Sequence, residues 1–183
     1  MPEATADVGL IGLAVMGQNL VLNIADHGFN IAVYNRTAAT MEAWIAKINK
    51  EEPCDNRVSG HADLKAFIAA IKKPRKFLIL VKAGAAVDAV IESLIAAGID
   101  KDDLVVDCGN SQWTDTIRRE RQYAAKCKFF GSGVSGGELG ARFGPALIPG
   151  GDPESWKHLE PIWSAIAAKV DAQTGKPIET ATP

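Results

Sequence analysis

Cysteine is scarce in this 183-residue chain. Cys54, Cys108 and Cys127 stand far apart, are odd in number and form no C-x-x-C pair. That spacing argues against a disulfide framework and a cysteine-based zinc site, and makes a reducing compartment, the cytoplasm, the expected location. Histidine is equally sparse, and neither His61 nor His158 has an acidic or cysteine partner at ligand spacing. No metal site is expected. Neither sign of charge dominates, since 20 basic residues meet 22 acidic ones. So weak a net field argues against a dedicated binder of nucleic acid or of acidic membrane surfaces. No apolar run reaches the roughly 18 residues that a membrane span requires. Residues 1–7 lack the basic start and apolar core of a secretory signal. The one basic cluster, Lys72-Lys73-Pro74-Arg75-Lys76, reads as a solvated helix end leading into a strand rather than a localisation signal.

What is present is alternation. Short β-branched runs at 8–11, 30–34, 77–81 and 104–107 are separated by stretches with helical periodicity at 15–27, 38–50, 63–71, 85–97 and 114–126. In the second helix Met41, Trp44, Ile45 and Ile48 fall on one face, at spacings of three and four. Gly28 and Gly98 suit the left-handed residue that closes a helix, and Thr114 suits an N-cap. A last helix at 153–168 opens with Asp152 as N-cap and Pro153 in the first turn. Residues 51–60 read as a polar loop. Phe129-Phe130 begins a strand that breaks into glycine-rich 131–144, and 146–148 returns to the sheet edge. The four tryptophans, Trp44, Trp113, Trp156 and Trp163, read mostly as packing, and His27 as a structural helix-end residue. Residues 1–170 form one domain of adequate core size, followed by a polar linker at 171–183. The predicted class is α/β, a doubly wound Rossmann-type parallel sheet with helices on both faces.

Between the first strand and first helix lies Gly12-Leu13-Ala14-Val15-Met16-Gly17, a G-x-G-x-x-G fingerprint with Ala14 at the second glycine. Gly12 makes the tight turn, Ala14 lets a pyrophosphate approach the backbone, and Gly17 lets helix pack on strand. The helix N-terminus offers free N–H groups to the anion. The second strand then decides which dinucleotide. Members that bind NAD place an acid about 20 residues past the fingerprint to hold the ribose 2′-hydroxyl. Here stand Asn35-Arg36-Thr37 instead. A guanidinium holds a 2′-phosphate by charge-assisted bonds where a carboxylate repels it, which predicts NADP.

Three further segments follow strand ends, where open α/β sheets place their ligands: Val81-Lys82-Ala83-Gly84, Cys108-Gly109-Asn110-Ser111, and the glycine-rich Gly131 to Glu138. Ser111 and Ser135 lack a nearby His–Asp pattern, which argues against nucleophilic catalysis.

The motifs GLAVMG, NRT, VKAG, GNS and GSGVSGGELGARFGPALIPGG, in this order, resemble the coenzyme domain of the 6-phosphogluconate dehydrogenase family, over residues 7–170. The wider β-hydroxyacid dehydrogenase superfamily shares the fingerprint and the SGG segment, but typically carries Leu-Pro where this chain has Val81-Lys82-Ala83-Gly84, and lacks the GPALIPGG ending. The resemblance implies NADP held by Gly12, Ala14, Val15, Met16, Gly17, Asn35, Arg36, Thr37, Val81, Lys82, Ala83 and Asn110. It implies 6-phosphogluconate near Asn110, Ser135, Gly136 and Gly137, with Glu138 beside the nicotinamide loop. Leu139 departs from the family's second glutamate.

The implied reaction is a metal-free oxidative decarboxylation in the pentose phosphate pathway, yielding ribulose 5-phosphate. Its general base, a lysine, and its general acid, a glutamate, belong to a helix of GHxVKMVHNxIEY type that these 183 residues do not contain. Catalytic residues are therefore expected beyond Pro183. The family's helical domain, through which a homodimer forms, is expected there too. These residues alone are expected to be inactive and monomeric.

Overall fold

The computed structural model describes residues 4–51, 54–170, 174, 176 and 178. The elements follow in the order β1 (Val8–Ile11), α1 (Val15–Asp26), β2 (Ile31–Tyr34), α2 (Ala38–Glu51), β3 (Val58–His61), α3 (Leu64–Ala69) and β4 (Lys76–Ile79). Then come α4 (Ala85–Ala96), β5 (Leu104–Asp107), α5 (Trp113–Tyr123), β6 (Lys128–Ser135), α6 (Gly137–Phe143), β7 (Ala146–Gly150) and α7 (Pro153–Ile166). Among the described residues they make one seven-stranded sheet of order β3-β2-β1-β4-β5-β6-β7. All pairings are parallel except β6 with β7, which is antiparallel.

Successive strand residues point to opposite faces, and here both faces are covered. Val8, Leu10, Ile31, Val33, Leu78 and Val106 join one core with side chains of α1, α2 and α7. Ile11, Ala32, Phe77, Ile79 and Val105 join the other, under α3, α4 and α5. Strands β1, β2, β4 and β5 consequently read as near-continuous buried runs rather than alternating ones. Strand order reverses between β1 and β4, and the loops leaving β1, β2, β4 and β5 gather at the sheet's C-terminal edge. That crevice is where such folds hold ligands.

The helix-end signals at Gly28, Gly98 and Asp152 hold. Gly28 and Gly98 take φ of +89° and +95° just past the ends of α1 and α4. Asp152 accepts from the Ser155 N–H at 2.9 Å, with Pro153 in the first turn of α7. Elsewhere the structure departs from the expectations. Residues 58–60 of the expected polar loop belong instead to the edge strand Val58–His61, paired among the described residues only with β2. Residues 131–135 extend β6 instead of breaking it, and 137–143 are helical. The fold is thus mostly, not wholly, parallel. The α5 helix begins at Trp113 after Gln112, so Thr114 lies within it and caps nothing. Trp113 is 73% exposed and packs in no core, whereas Trp44 and Trp163 are buried. The ladder of β4 ends at Ile79, which leaves Leu80 and Val81 to the loop that enters the site. The expected linker at 171–183 lies almost wholly outside the described residues. No helix among the described residues is long and apolar enough to cross a membrane.

Candidate functional site

The turn after β1 is built by glycine. Gly12 has φ of +106°, and a Cβ there would lie 2.3 Å from the Leu80 carbonyl oxygen. Its N–H donates to the Tyr34 carbonyl at 3.2 Å, tying the turn to β2. At Gly17 a Cβ would meet the Gly12 carbonyl oxygen at 2.0 Å, so α1 sits this close to β1 only because position 17 has no side chain. The cap position of α1 is Ala14, which supplies no side-chain acceptor. The first-turn N–H groups of Val15 and Met16, orphaned in any helix start, thus face outward with the helix dipole behind them.

Asn35 joins this turn to the next. Its Oδ1 accepts from the Leu13 N–H at 3.2 Å, and its Nδ2 donates to the Thr37 carbonyl at 3.1 Å. One side chain therefore holds both the glycine turn after β1 and the segment carrying Arg36. Arg36 is exposed. Among the described residues it has no hydrogen-bonded or ion-paired partner, in contrast to Arg75, Arg118 and Arg119.

A cleft of about 450 Å³ opens here, and Gly12, Asn35, Arg36, Thr37, Val81 and Lys82 all line it. Its far wall is α4, through Ala86, Ala89 and Ser93, with Leu64 of α3 at the side. Sequence reasoning missed that wall. Its signal was the small residues Ala86, Ala89 and Ser93 at spacings of three and four, which keep that helix face low beside the cleft. Two further concavities among the described residues, one beside Leu139 and Phe143 and one beside Lys73 and Asp100, share no lining residue with this cleft and are more open. Among the described residues no cluster of His, Cys, Asp and Glu could hold a metal.

The remaining expected residues stand beside this cleft rather than in its wall. Ala83 follows Lys82 into the start of α4. Asn110 is exposed in the loop after β5, next to Gly109, whose Cα approaches the Val81 carbonyl so closely that a Cβ would lie 3.3 Å from it. Ser135 ends β6, and Gly136 and Gly137 turn the chain into α6 with φ of +120° and +65°. Glu138 and Leu139 are exposed on that helix. It is held to α1 by buried Asn23, whose Nδ2 donates to the Ala141 carbonyl at 3.1 Å.

Behind the loops lies a buried charge cluster that the sequence reading did not single out. Arg119, fully buried, faces Asp88 of α4 and Asp107 at the end of β5. Hydrogen bonds from Arg119, outweighing desolvation and aided by Arg118, hold the Asp88 carboxyl well below its usual 3.8, at about 2. Asp88 thus binds fewer protons folded than unfolded. Its stabilising contribution is complete above pH ~4 and is lost as pH falls toward ~2. The thermal midpoint should therefore drop more steeply between pH 4 and 2 in the unsubstituted chain than in Asp88→Asn. Parallel pH profiles would remove Asp88 from that account. By contrast, burial pushes the thiols of Cys108 and Cys127 up, the latter to about 11, so neither is a nucleophile at neutral pH.

A family model described as the NAD binding domain of 6-phosphogluconate dehydrogenase matches residues 7–175. The chain belongs to this family. Decarboxylating 6-phosphogluconate dehydrogenases of Cunninghamella elegans and Homo sapiens are 51% and 50% identical to it, over 92% and 95% of its length. A solved 6-phosphogluconate dehydrogenase of Plasmodium falciparum superposes with a TM-score of 0.81 at 37% identity over 93% of the chain. That protein is described in its apo form, with its cofactor NADP+ and with its substrate 6-phosphogluconate. The chain spans about a third of these relatives, 34% and 35% of the two sequences and 35% of the solved chain. Residues 58–60, 131–135 and 137–143, which the sequence reading took for loop, lie in regular elements within the stretch the family model covers.

Proposed function

We propose that this chain holds NADP in the cleft at the C-terminal edge of its sheet and forms the coenzyme half of a 6-phosphogluconate dehydrogenase active site. The observation that carries the reading is Arg36: an exposed guanidinium without a partner among the described residues, lining the cleft at the end of β2, where an NAD-binding domain would place a carboxylate. In this reading the first-turn N–H groups at Ala14, Val15, Met16 and Gly17 receive the pyrophosphate. Arg36, flanked by Asn35 and Thr37, receives the 2′-phosphate. Val81, Lys82 and Ala83 run beneath the nicotinamide, and Asn110 stands between coenzyme and sugar acid. Ser135, Gly136 and Gly137 face the substrate. When bound, the nucleotide supplies the hydride acceptor for oxidation of 6-phosphogluconate toward ribulose 5-phosphate in the pentose phosphate pathway. This chain's residues bind and orient. None of the motifs named here supplies the family's general base or general acid, so the 183 residues alone form no NADPH from 6-phosphogluconate.

Calorimetric titration with NADP and, separately, with NAD tests the reading. NADP is expected to bind at least about tenfold tighter, the worth of one charge-assisted bond to the 2′-phosphate. Equal affinity would detach Arg36 from the site, and binding of neither would overturn the proposal.

A further inference from the structure

The buried cluster around Arg119 grips the loops of the site as well as helix α4. Arg119 projects from α5, and its guanidinium is saturated. Nε and Nη2 donate to the two Asp88 oxygens at 3.1 and 2.9 Å, and Nη2 also donates to the Gly84 carbonyl at 2.9 Å. Nη1 reaches Asp107 Oδ2 at 3.3 Å and Ser111 Oγ at 3.2 Å. The carboxylate of Asp107 continues the chain of contacts. Its Oδ2 accepts from the Ser111 hydroxyl at 2.6 Å, and its Oδ1 accepts from the Gly109 N–H at 3.0 Å. Both neighbours of Asn110 are thereby tethered to the same buried pair, while Asn110 itself is exposed. Gly84, directly after Lys82-Ala83, is tethered by its carbonyl.

Merely holding α4 and α5 to the sheet does not call for such a device. Well-packed apolar side chains of similar volume do so at least as well as a buried ion pair, because desolvating the charges offsets most of their attraction. What an apolar plug cannot do is fix the carbonyl of Gly84, the N–H of Gly109 and the hydroxyl of Ser111 in one geometry. A planar guanidinium and a two-oxygen carboxylate can.

We infer that Arg119, with Asp107 and Ser111, is a positioning cluster that sets the loops 82–84 and 109–111 in register with each other and so shapes the nicotinamide end of the site. The inference rests on the NADP reading above. It separates the two ends of the ligand. Arg36 and Asn35 serve the adenosine end, and the Arg119 cluster serves only the other.

The test compares NADPH with adenosine 2′,5′-bisphosphate, which keeps the 2′-phosphate and lacks the nicotinamide. Arg119→Lys retains the charge but cannot bridge Asp88, Asp107, Gly84 and Ser111 together. It is expected to weaken NADPH about tenfold and to reduce the emission of the bound dihydronicotinamide, while leaving the bisphosphate within about twofold. Ser111→Ala removes one tether without unpairing a buried charge. It should shift the same ratio in the same direction, which keeps the test decisive if the lysine variant does not fold. Equal weakening of both ligands, or of neither, in the variants that fold overturns the positioning role and leaves the NADP reading intact. Failure of the unsubstituted chain to bind either ligand overturns both.

Discussion

Replacing Arg36 with aspartate is expected to erase the preference for NADP and to lower NADP affinity by about a hundredfold or more. The wild-type side chain is exposed at the cleft with no partner among the described residues, so its removal costs the fold little. Two charge-assisted hydrogen bonds to a 2′-phosphate contribute about 1.5–3 kcal/mol each, and a carboxylate in their place adds repulsion. The same carboxylate suits a ribose 2′-hydroxyl, so NAD affinity should hold or rise. The thermal midpoint should stay near that of the parent. Titration of both dinucleotides against parent and variant checks the result. An unchanged NADP:NAD ratio would remove Arg36 from the ligand's contacts, and a collapsed midpoint would mean that the substitution acted through the fold.

Gly17→Ala should do the opposite, harming the fold and the site together. The added methyl would lie 2.0 Å from the Gly12 carbonyl oxygen, a backbone atom that cannot rotate away. Either α1 lifts off β1 or the Gly12 turn opens, and the turn has little slack. Its own φ is +106°, with the Leu80 carbonyl directly behind it. Overpacking typically costs 1–3 kcal/mol where side chains can yield, and here about 3 kcal/mol or more is expected. Chemical denaturation reads that loss. Coenzyme binding should vanish even where the variant remains folded, because the first-turn N–H groups move with the helix. A variant of native stability and native affinity would show that helix and strand do not approach as closely as described.

Most of the architecture was legible because buried parallel strands and amphipathic helices leave strong local signals. Val8–Ile11 and Leu104–Asp107 are buried on both faces, Gly28 and Gly98 close their helices, and Asp152 with Pro153 opens the last. The failures share a cause: each element is held by contacts distant in sequence. Val58–His61 is a partly exposed edge strand whose Val-Ser-Gly-His has no buried period, and only the ladder to β2 makes it a strand. The helix Gly137–Phe143 carries two glycines and reads as loop, yet it forms where buried Asn23 bonds the Ala141 carbonyl and Ala141 packs inward. Likewise the β6 extension through Gly131–Ser135 depends on pairing with β7, because its glycines and serines carry little strand signal of their own.

The candidate site divides in the same way. Gly12, Gly17, Asn35 and Arg36 stand in short motifs whose chemistry can be read residue by residue. The α4 wall of Ala86, Ala89 and Ser93 was hidden inside an ordinary helix, where small residues look like filler. The Arg119 cluster was hidden for a different reason. Asp88, Asp107, Ser111 and Arg119 belong to three elements and a loop, and nothing in the spacing of isolated charges announces that one of them is fully buried.

Asn35 deserves to be seen as a constraint on redesign. A cofactor-switching programme would naturally exchange the whole Asn35-Arg36-Thr37 turn for the acidic turn of an NAD enzyme. Asn35, however, accepts from the Leu13 N–H through its side-chain carbonyl and donates its amide to Thr37, so such a graft also unfastens the Gly12 turn. Specificity and general dinucleotide affinity would then fall together, and the graft would look like a failure of the acidic residue when the fault lay next to it. A switch confined to Arg36, with Asn35 kept, leaves the two turns fastened and changes only which nucleotide they admit.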